Sequence, residues 1–437
     1  MKRKIEEQLL AWKNRPERLP LLVLGARQVG KTYSAEAFGA RYFNDVVSVN
    51  FQTDLSRLIR LFEADLDPKR IISDLGYLYD RRIDPENTLL IFDEIQLCQP
   101  ALTSLKYFAE RAGEYTVIAT GSLFGITVHR DARYSFPVGK VEILDLHPLD
   151  FEEYLWACGK ELWAEGIRKS YRLNMPFAAH REALALYREY LVVGGLPAAV
   201  DSWLTTRDHA RVRDIQRSLA TLYAADMGIY LDDANAVRTR AVWDSAPRQL
   251  AREKNRKFKL AEMKGGARLH HYQAPFAWLQ SAGIVHLHYQ AAAEFPPLEP
   301  RDGGTFFKVF LHDVGLLGAQ MDIKPEIFLN EQGYQQLASG FRGGITENYV
   351  KQALEANNLK SYYWASGNTA EVDFLFQDEL MQVIPIEVKA GDNVRSKSLQ
   401  LYRQRHQSAY ALRLSSKEFG LEDGLKSVPL YAAFCIE

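Results

Sequence analysis

Gly25-Ala26-Arg27-Gln28-Val29-Gly30-Lys31-Thr32 fits the spacing G-x-x-x-x-G-K-[ST]. Those residue types suit the binding of a nucleotide's phosphates. Two glycines let backbone N–H groups close around phosphate oxygens, and a helix starting at the end of the run adds the positive end of its dipole. Lys31 would reach the β- and γ-phosphates of ATP, and the Thr32 hydroxyl would ligate Mg²⁺. A second run, Thr88-Leu89-Leu90-Ile91-Phe92-Asp93-Glu94, is apolar and ends in two carboxylates. Asp93 would hold Mg²⁺ through water, and Glu94 would act as general base on the attacking water. A third run, Tyr115 to Thr120, leads into Gly121-Ser122. A polar residue there could sense the γ-phosphate. Ser122 is the preferred candidate over Thr120, although Ser122 equally suits the N-cap of a following helix.

A different chemistry is suggested by residues 371–389, EVDFLFQDELMQVIPIEVK. Two β-type runs flank Gln377 to Met381, a plausible hairpin connection. Strand alternation puts Glu371 and Asp373 on one face of the first run, and Glu387 and Lys389 on one face of the second. A register that joins the faces gathers carboxylates beside an ammonium, which suits phosphodiester hydrolysis. Asp373 and Glu387 would hold Mg²⁺ with oxygen ligands, polarising the phosphate and acidifying a water. Lys389 would orient that water or stabilise charge. Ordinary exposed cross-strand acid–base pairs have the same spacing. Pro385, which lacks an N–H, points to an edge strand or a bulge.

These groups need elements to hold them. Residues 20–24, PLLVL, read as a buried parallel strand, and the stretch after Thr32 is compatible with a helix. Acidic groups at the carboxyl ends of parallel strands lie where open α/β sheets bind ligands. From about 151 to 290 the apolar spacing turns helical, with Gly194-Gly195-Leu196-Pro197 as a helix stop. Residues 238–271 hold ten Lys/Arg against three Asp/Glu and lead into a helix, a stop at Gly283 and a strand. Short helices before such a strand suit a winged helix on a DNA backbone, or equally a packing module with a solvated basic face. His270-His271 and His286-x-His288 have no Cys or carboxylate at ligand spacing and read as ordinary histidines.

At 437 residues and about 150 per domain, roughly three domains are expected. The composition, 47% hydrophobic and 25% charged, excludes global disorder and fibrous architectures. Lys+Arg number 54 against 55 Asp+Glu, so a uniformly basic nucleic-acid coat is excluded while a local patch is not. The charged N-terminus has no apolar core of a leader, and no apolar stretch approaches the length of a membrane span. Cys98, Cys158 and Cys435 lie far apart and read as three buried thiols in a reducing, cytoplasmic compartment. The expected fold class is α/β. Residues 1–150 would be a P-loop NTPase parallel sheet, 151–300 a helical to winged-helix middle, and 301–437 an α/β nuclease-like domain.

GARQVGKT, LLIFDEIQ and IATGSLFG, in that order, resemble the ATPase core of the AAA-type superfamily. More narrowly, the chain resembles bacterial and archaeal ATP-binding proteins that join this core to a C-terminal domain of unknown function. Further matches are VEILDLHPLDFEEYL, EYLVVGGLPAAV, TLYAADM, FKVFLHDVGLL and GITENYVKQAL, so the likeness spans nearly the whole chain. Such a core implies ATP and Mg²⁺ as cofactors. It departs from the pattern at Gly139-Lys140, where Gly-Arg is expected, and lysine cannot fork two phosphate oxygens. Arg130 and Arg133 are alternative sources of that charge, as is a neighbouring copy in a homo-oligomer. Asp373 followed by Glu387-x-Lys389 resembles the PD-(D/E)xK nuclease core, and the resemblance implies Glu347 as an additional metal ligand. Residues 395–417, with six Lys/Arg and no acid, would then face DNA, with weak contributions from Ser398 and Gln400. The alternative is a nucleotide-switched binding or regulatory protein whose C-terminal domain cuts nothing.

Overall fold

The computed structural model describes residues 1–53, 55–122, 135–252, 256–263, 268–293, 295–367, 370–391, 396–406, 408 and 410–437. The chain divides into two compact units. The first comprises residues 2–147 with 281–283, and the second takes 148–280 and 284–437 together with Met1.

The first unit is built on five parallel strands: β1 (Leu21–Leu24), β2 (Asp45–Asn50), β3 (Thr88–Asp93), β4 (Thr116–Gly121) and β5 (Glu142–Asp145), in the order β2-β3-β4-β1-β5. β1, β3 and β4 are buried along their whole length. That is why they read as unbroken apolar runs: a parallel sheet is covered on both faces. The helices Leu55–Ala64, Pro68–Tyr79 and Gln99–Arg111 contribute to a core in which Phe92 meets Phe51, Phe62 and Phe108 edge-on, at centroid distances of 6.2, 5.6 and 5.9 Å.

In the second unit β6 (Val285–Tyr289) pairs antiparallel with β7 (Phe307–Leu311). A six-stranded mixed sheet runs in the order β12-β13-β11-β10-β9-β8. Its strands are β8 (Ser361–Ser366), β9 (Ala370–Gln377), β10 (Val383–Val388), β11 (Ala411–Ser415), β12 (Gly420–Glu422) and β13 (Leu425–Pro429). Pro385 corrects the edge-strand expectation, because β10 lies inside the sheet between β9 and β11. It is tolerated there because the ladder to β11 begins only at Ile386. Leu399 and Tyr402 of the helix Lys397–His406 pack against Trp364, Val372 and Leu375.

Residues 148–280 and 284–437 lie together in this unit. A buried polar network ties them. Gln216 Nε2 donates to the carbonyls of Val192 and Val193 at 2.9 Å each. Gln352 Nε2 donates to the Tyr190 hydroxyl at 2.8 Å. Asp313 accepts from Gly195 N at 2.6 Å and caps the helix Val314–Gln320 through Leu316 N at 3.0 Å. The Gly-Gly stop is there for close approach: a Cβ on Gly195 would lie 1.9 Å from the Leu149 carbonyl oxygen. Gly195→Ala is therefore expected to cost about 2–4 kcal/mol, since the obstacle is backbone. Chemical denaturation of the full chain measures it, and a cost under about 0.5 kcal/mol would contradict the steric account.

Candidate functional site

Residues 25–30 link β1 to the helix Lys31–Tyr42. Gly25 stands at φ +153° with the place of its missing Cβ 2.3 Å from the Leu146 carbonyl oxygen, and Gly30 stands at φ +93°. Gln28 is also left-handed, at φ +66°, and is exposed, while the side chains of Ala26 and Val29 are buried and Arg27 is half-buried. Arg3 braces the loop by donating to the Val29 carbonyl at 3.0 Å. Lys31 is buried, and its Nζ donates to the carbonyls of Gly25 at 3.0 Å and Ala26 at 2.9 Å. Burial draws its pKa down; Glu94 and Asp93 pull the other way, and Arg27 adds to the lowering. The ammonium is thus a poorly hydrated cation folded onto the loop, suited to exchange those carbonyls for phosphate oxygens.

β4 lies between β1 and β3, so Asp93 reaches Thr32 across the end of one strand. Thr32 Oγ1 donates to Asp93 Oδ1 at 2.6 Å, Thr120 Oγ1 donates to the same oxygen at 2.5 Å, and Asn50 Nδ2 donates to Oδ2 at 2.8 Å. A hydroxyl against a carboxylate is a hard-oxygen pair of the kind Mg²⁺ takes, so the residues present fit the metal. Glu94 follows at φ +55°; its backbone N–H donates to Thr120 Oγ1 at 3.4 Å and its carboxylate accepts from Gln96. Ser122 comes directly after β4 and is half-buried.

In the second unit the β9–β10 register pairs Phe374 with Ile386, which sets Asp373 opposite Glu387. Asp373 Oδ2 accepts from Val388 N at 2.8 Å, and Lys389 Nζ donates to Glu387 Oε1 at 2.5 Å. Glu347, on the helix Ser339–Ala356, accepts from Lys308 Nζ at 3.1 Å through Oε2 and from Arg256 through Oε1. Lys308 is fully buried on β7 and also meets Glu371 Oε1 at 2.7 Å. The fold therefore brings Glu347, Glu371, Asp373, Glu387 and Lys389 into one cluster. Burial, then the Glu347 and Glu387 carboxylates, push Asp373 well above the usual carboxylate range. Burial also raises Glu387, with Lys389 opposing. For Glu347 burial works upward, but Arg256 and Lys308 outweigh it and hold its pKa low.

A divalent ion fits this second cluster poorly at Glu347, where both oxygens already accept from protein cations. Among the described residues no group of three or more His, Cys, Asp and Glu is arranged to hold a metal ion. Asp373 and Glu387 remain as a facing pair, and Glu387 Oε2 is buried without a hydrogen bond of good geometry. Glu347, expected as an extra metal ligand, is an ion-pair partner of Lys308 and Arg256.

With both geometries in place, the comparisons with known proteins fall on the same parts of the chain. Residues 17–155 match the AAA domain family. The five-stranded parallel sheet of the N-terminal unit is a P-loop NTPase fold. Residues 184–327 match a domain of unknown function (DUF8612), and 342–433 match another (DUF4143). Similar solved structures include a Walker-type ATPase of Pyrococcus abyssi, 15% identical, covering 73% of this chain and 95% of that one at a TM-score of 0.43. The Aeropyrum pernix ORC1 protein in complex with DNA is 15% identical over 73% of this chain and 91% of that one, at a TM-score of 0.25. AMPPCP-bound DnaA from Aquifex aeolicus is 11% identical over 64% of this chain and 92% of that one, at 0.30. No curated protein matches the chain.

The spacing does not single out Asn50, and it offers Thr120 only behind Ser122 as a phosphate sensor; both hold Asp93. The rule that would find them is positional, since each lies at or beside the carboxyl end of a strand neighbouring β3. Lys308 had a signal too, as a lysine set between Phe307 and Val309 in an apolar strand. Lys140 is turned onto Glu110, its Nζ 3.2 Å from Oε1, while Arg130 and Arg133 lie outside the described residues. His288 is buried, kept neutral by burial, and contacts the Asp373 carbonyl oxygen at 3.0 Å through Nε2. His286 Nδ1 stands 3.8 Å from Glu355. Ser398 accepts from the Glu371 N–H at 3.3 Å. Cys98 and Cys435 are buried, but Cys158 is only half-buried, a correction to the expectation for all three. No helix among the described residues is long and apolar enough to cross a membrane.

Proposed function

We propose that this protein is a Mg²⁺-dependent ATPase whose nucleotide state is coupled to DNA binding or processing by its C-terminal domain. The observation that carries the reading is the convergence of Thr32, Asn50 and Thr120 on Asp93, beside a buried Lys31 and a left-handed Glu94. The backbone of residues 25–30 and the Lys31 ammonium would bind the phosphates, and Thr32 and Asp93 would hold Mg²⁺, directly and through water. When bound, that ion neutralises phosphate charge. Glu94 would take a proton from the attacking water, with Gln96 fixing its carboxylate, and Ser122 would sense the γ-phosphate.

DNA as partner is supported by the basic stretches 238–271 and 395–417. The pairing of Glu347 with Lys308 and Arg256 favours a domain that binds without cutting. The cleavage reading, through Asp373, Glu387 and Lys389, draws on the facing carboxylates and the Lys389 ammonium. Fluorescence anisotropy with linear, supercoiled-derived and branched DNA, in ATP, ADP and no nucleotide, tests the coupling on wild type and Glu94→Gln. The expected result is an affinity that differs at least about tenfold between ATP and ADP, a coupling of about 1.4 kcal/mol. Equal affinity in all three states would sink the coupling. The same DNAs incubated with Mg²⁺ or Mn²⁺ decide cleavage, which must vanish in Lys389→Ala if it is genuine.

A further inference from the structure

We infer that Lys308 is the resident cation of the C-terminal carboxylate cluster, seated between Glu347 and Glu371 where a divalent ion on Glu347 would otherwise have to bind. The inference deepens the reading of that domain as a module that holds its partner without metal chemistry at Glu347. Its ammonium is fully buried and bridges carboxylates from two elements, 3.1 Å from Glu347 Oε2 and 2.7 Å from Glu371 Oε1. Arg256 takes the other oxygen of Glu347. An ion on Glu347 would have to share both oxygens with protein cations.

The charge balance points the same way. Glu347, Glu371, Asp373 and Glu387 face Lys308, Arg256 and Lys389, and Lys257 also acts on Glu371, so protein cations answer all four negative charges. A divalent ion on Glu347 would place two further positive charges within a few ångströms of a buried ammonium that has no path to water. Like charges brought that close in a low-dielectric interior repel strongly. Lys308 is thus a positioning residue: it holds Glu347 and Glu371 in place and closes Glu347 to metal.

The test is Mn²⁺ binding by the nucleotide-free full chain, read by water-proton relaxation. Asp93→Asn is present throughout to silence the N-terminal metal site. With Lys308 in place, adding Glu347→Gln is expected to leave Mn²⁺ affinity unchanged. Lys308→Met is expected to create a site at least ~10-fold tighter, lost again on adding Glu347→Gln. Mn²⁺ binding that depends on Glu347 while Lys308 is present overturns the inference, as does a folded Lys308→Met protein with no new site. If Lys308→Met or Glu347→Gln does not fold, Asp373→Asn added to the Asp93→Asn protein decides: tight Mn²⁺ binding that persists there overturns the inference, and its absence supports it. Binding that survives Glu347→Gln but not Asp373→Asn leaves Lys308 in its role and counts for cleavage, so this inference and the proposed function fail separately.

Discussion

Lys31→Ala is expected to lower ATP hydrolysis roughly 10²–10³-fold and to weaken ATP binding with it. On the proposed reading the side chain would meet the phosphates in both ground and transition states, so its loss would be felt in affinity and turnover together. Glu94→Gln is expected to split them. It lowers turnover by about 10²–10⁴-fold, the usual worth of a positioned general base, while ATP binding persists. The amide keeps the shape and the contact with Gln96 but cannot take a proton. Titration with a fluorescent ATP analogue and single-turnover hydrolysis measure the two quantities. A Lys31→Ala protein that binds ATP normally would remove the phosphate-binding assignment, and a Glu94→Gln protein at full turnover would move the base elsewhere.

The second large effect is a pair of opposite signs within one cluster. Glu347→Gln is expected to destabilise the fold by about 3–5 kcal/mol, because it leaves the buried Lys308 ammonium and the Arg256 guanidinium without their shared carboxylate. Asp373→Asn is expected to stabilise near neutral pH. The amide still accepts from Val388 N–H, and it removes a charge that burial and two neighbouring carboxylates disfavour. The pH dependence follows from the directions of the shifts. Glu347 has a depressed pKa in the folded state, so its contribution is present above the ordinary glutamate range and is lost as pH falls through the folded value. Asp373 has a raised one. Its protonated form favours folding below the ordinary aspartate range, and that advantage is lost as pH rises through the folded pKa. Asp313, pushed up to about 6 by burial against three backbone N–H groups, leans the same way as Asp373. Thermal melts from pH 2 to 8 should show the Asp373→Asn gain growing with pH above the ordinary aspartate range and the Glu347→Gln loss shrinking below the ordinary glutamate range. A gain for Asp373→Asn that does not change with pH would show that packing, not charge, governs the site.

What the sequence determined by itself is local and contiguous. The proposed phosphate loop lies within eight residues, and its glycines, lysine and threonine are the types that close backbone approach, phosphate binding and metal ligation would demand. Strands buried on both faces wrote themselves as apolar runs, so β1, β3 and β4 were readable along with the carboxylates that end β3. Strand alternation likewise placed Asp373, Glu387 and Lys389 on usable faces. Other features required the third dimension. That Thr120 and Asn50 close on Asp93 depends on β4 entering between β1 and β3 while β2 lies outside, and strand order leaves no local mark. That Glu347 is an ion-pair partner depends on Lys308 and Arg256, which are distant in sequence and brought to it by packing. Residue identity sets what a side chain can do; for a buried charge, the neighbours that the fold supplies decide which of those things it does, because in a low-dielectric interior an unpaired charge is too costly to keep.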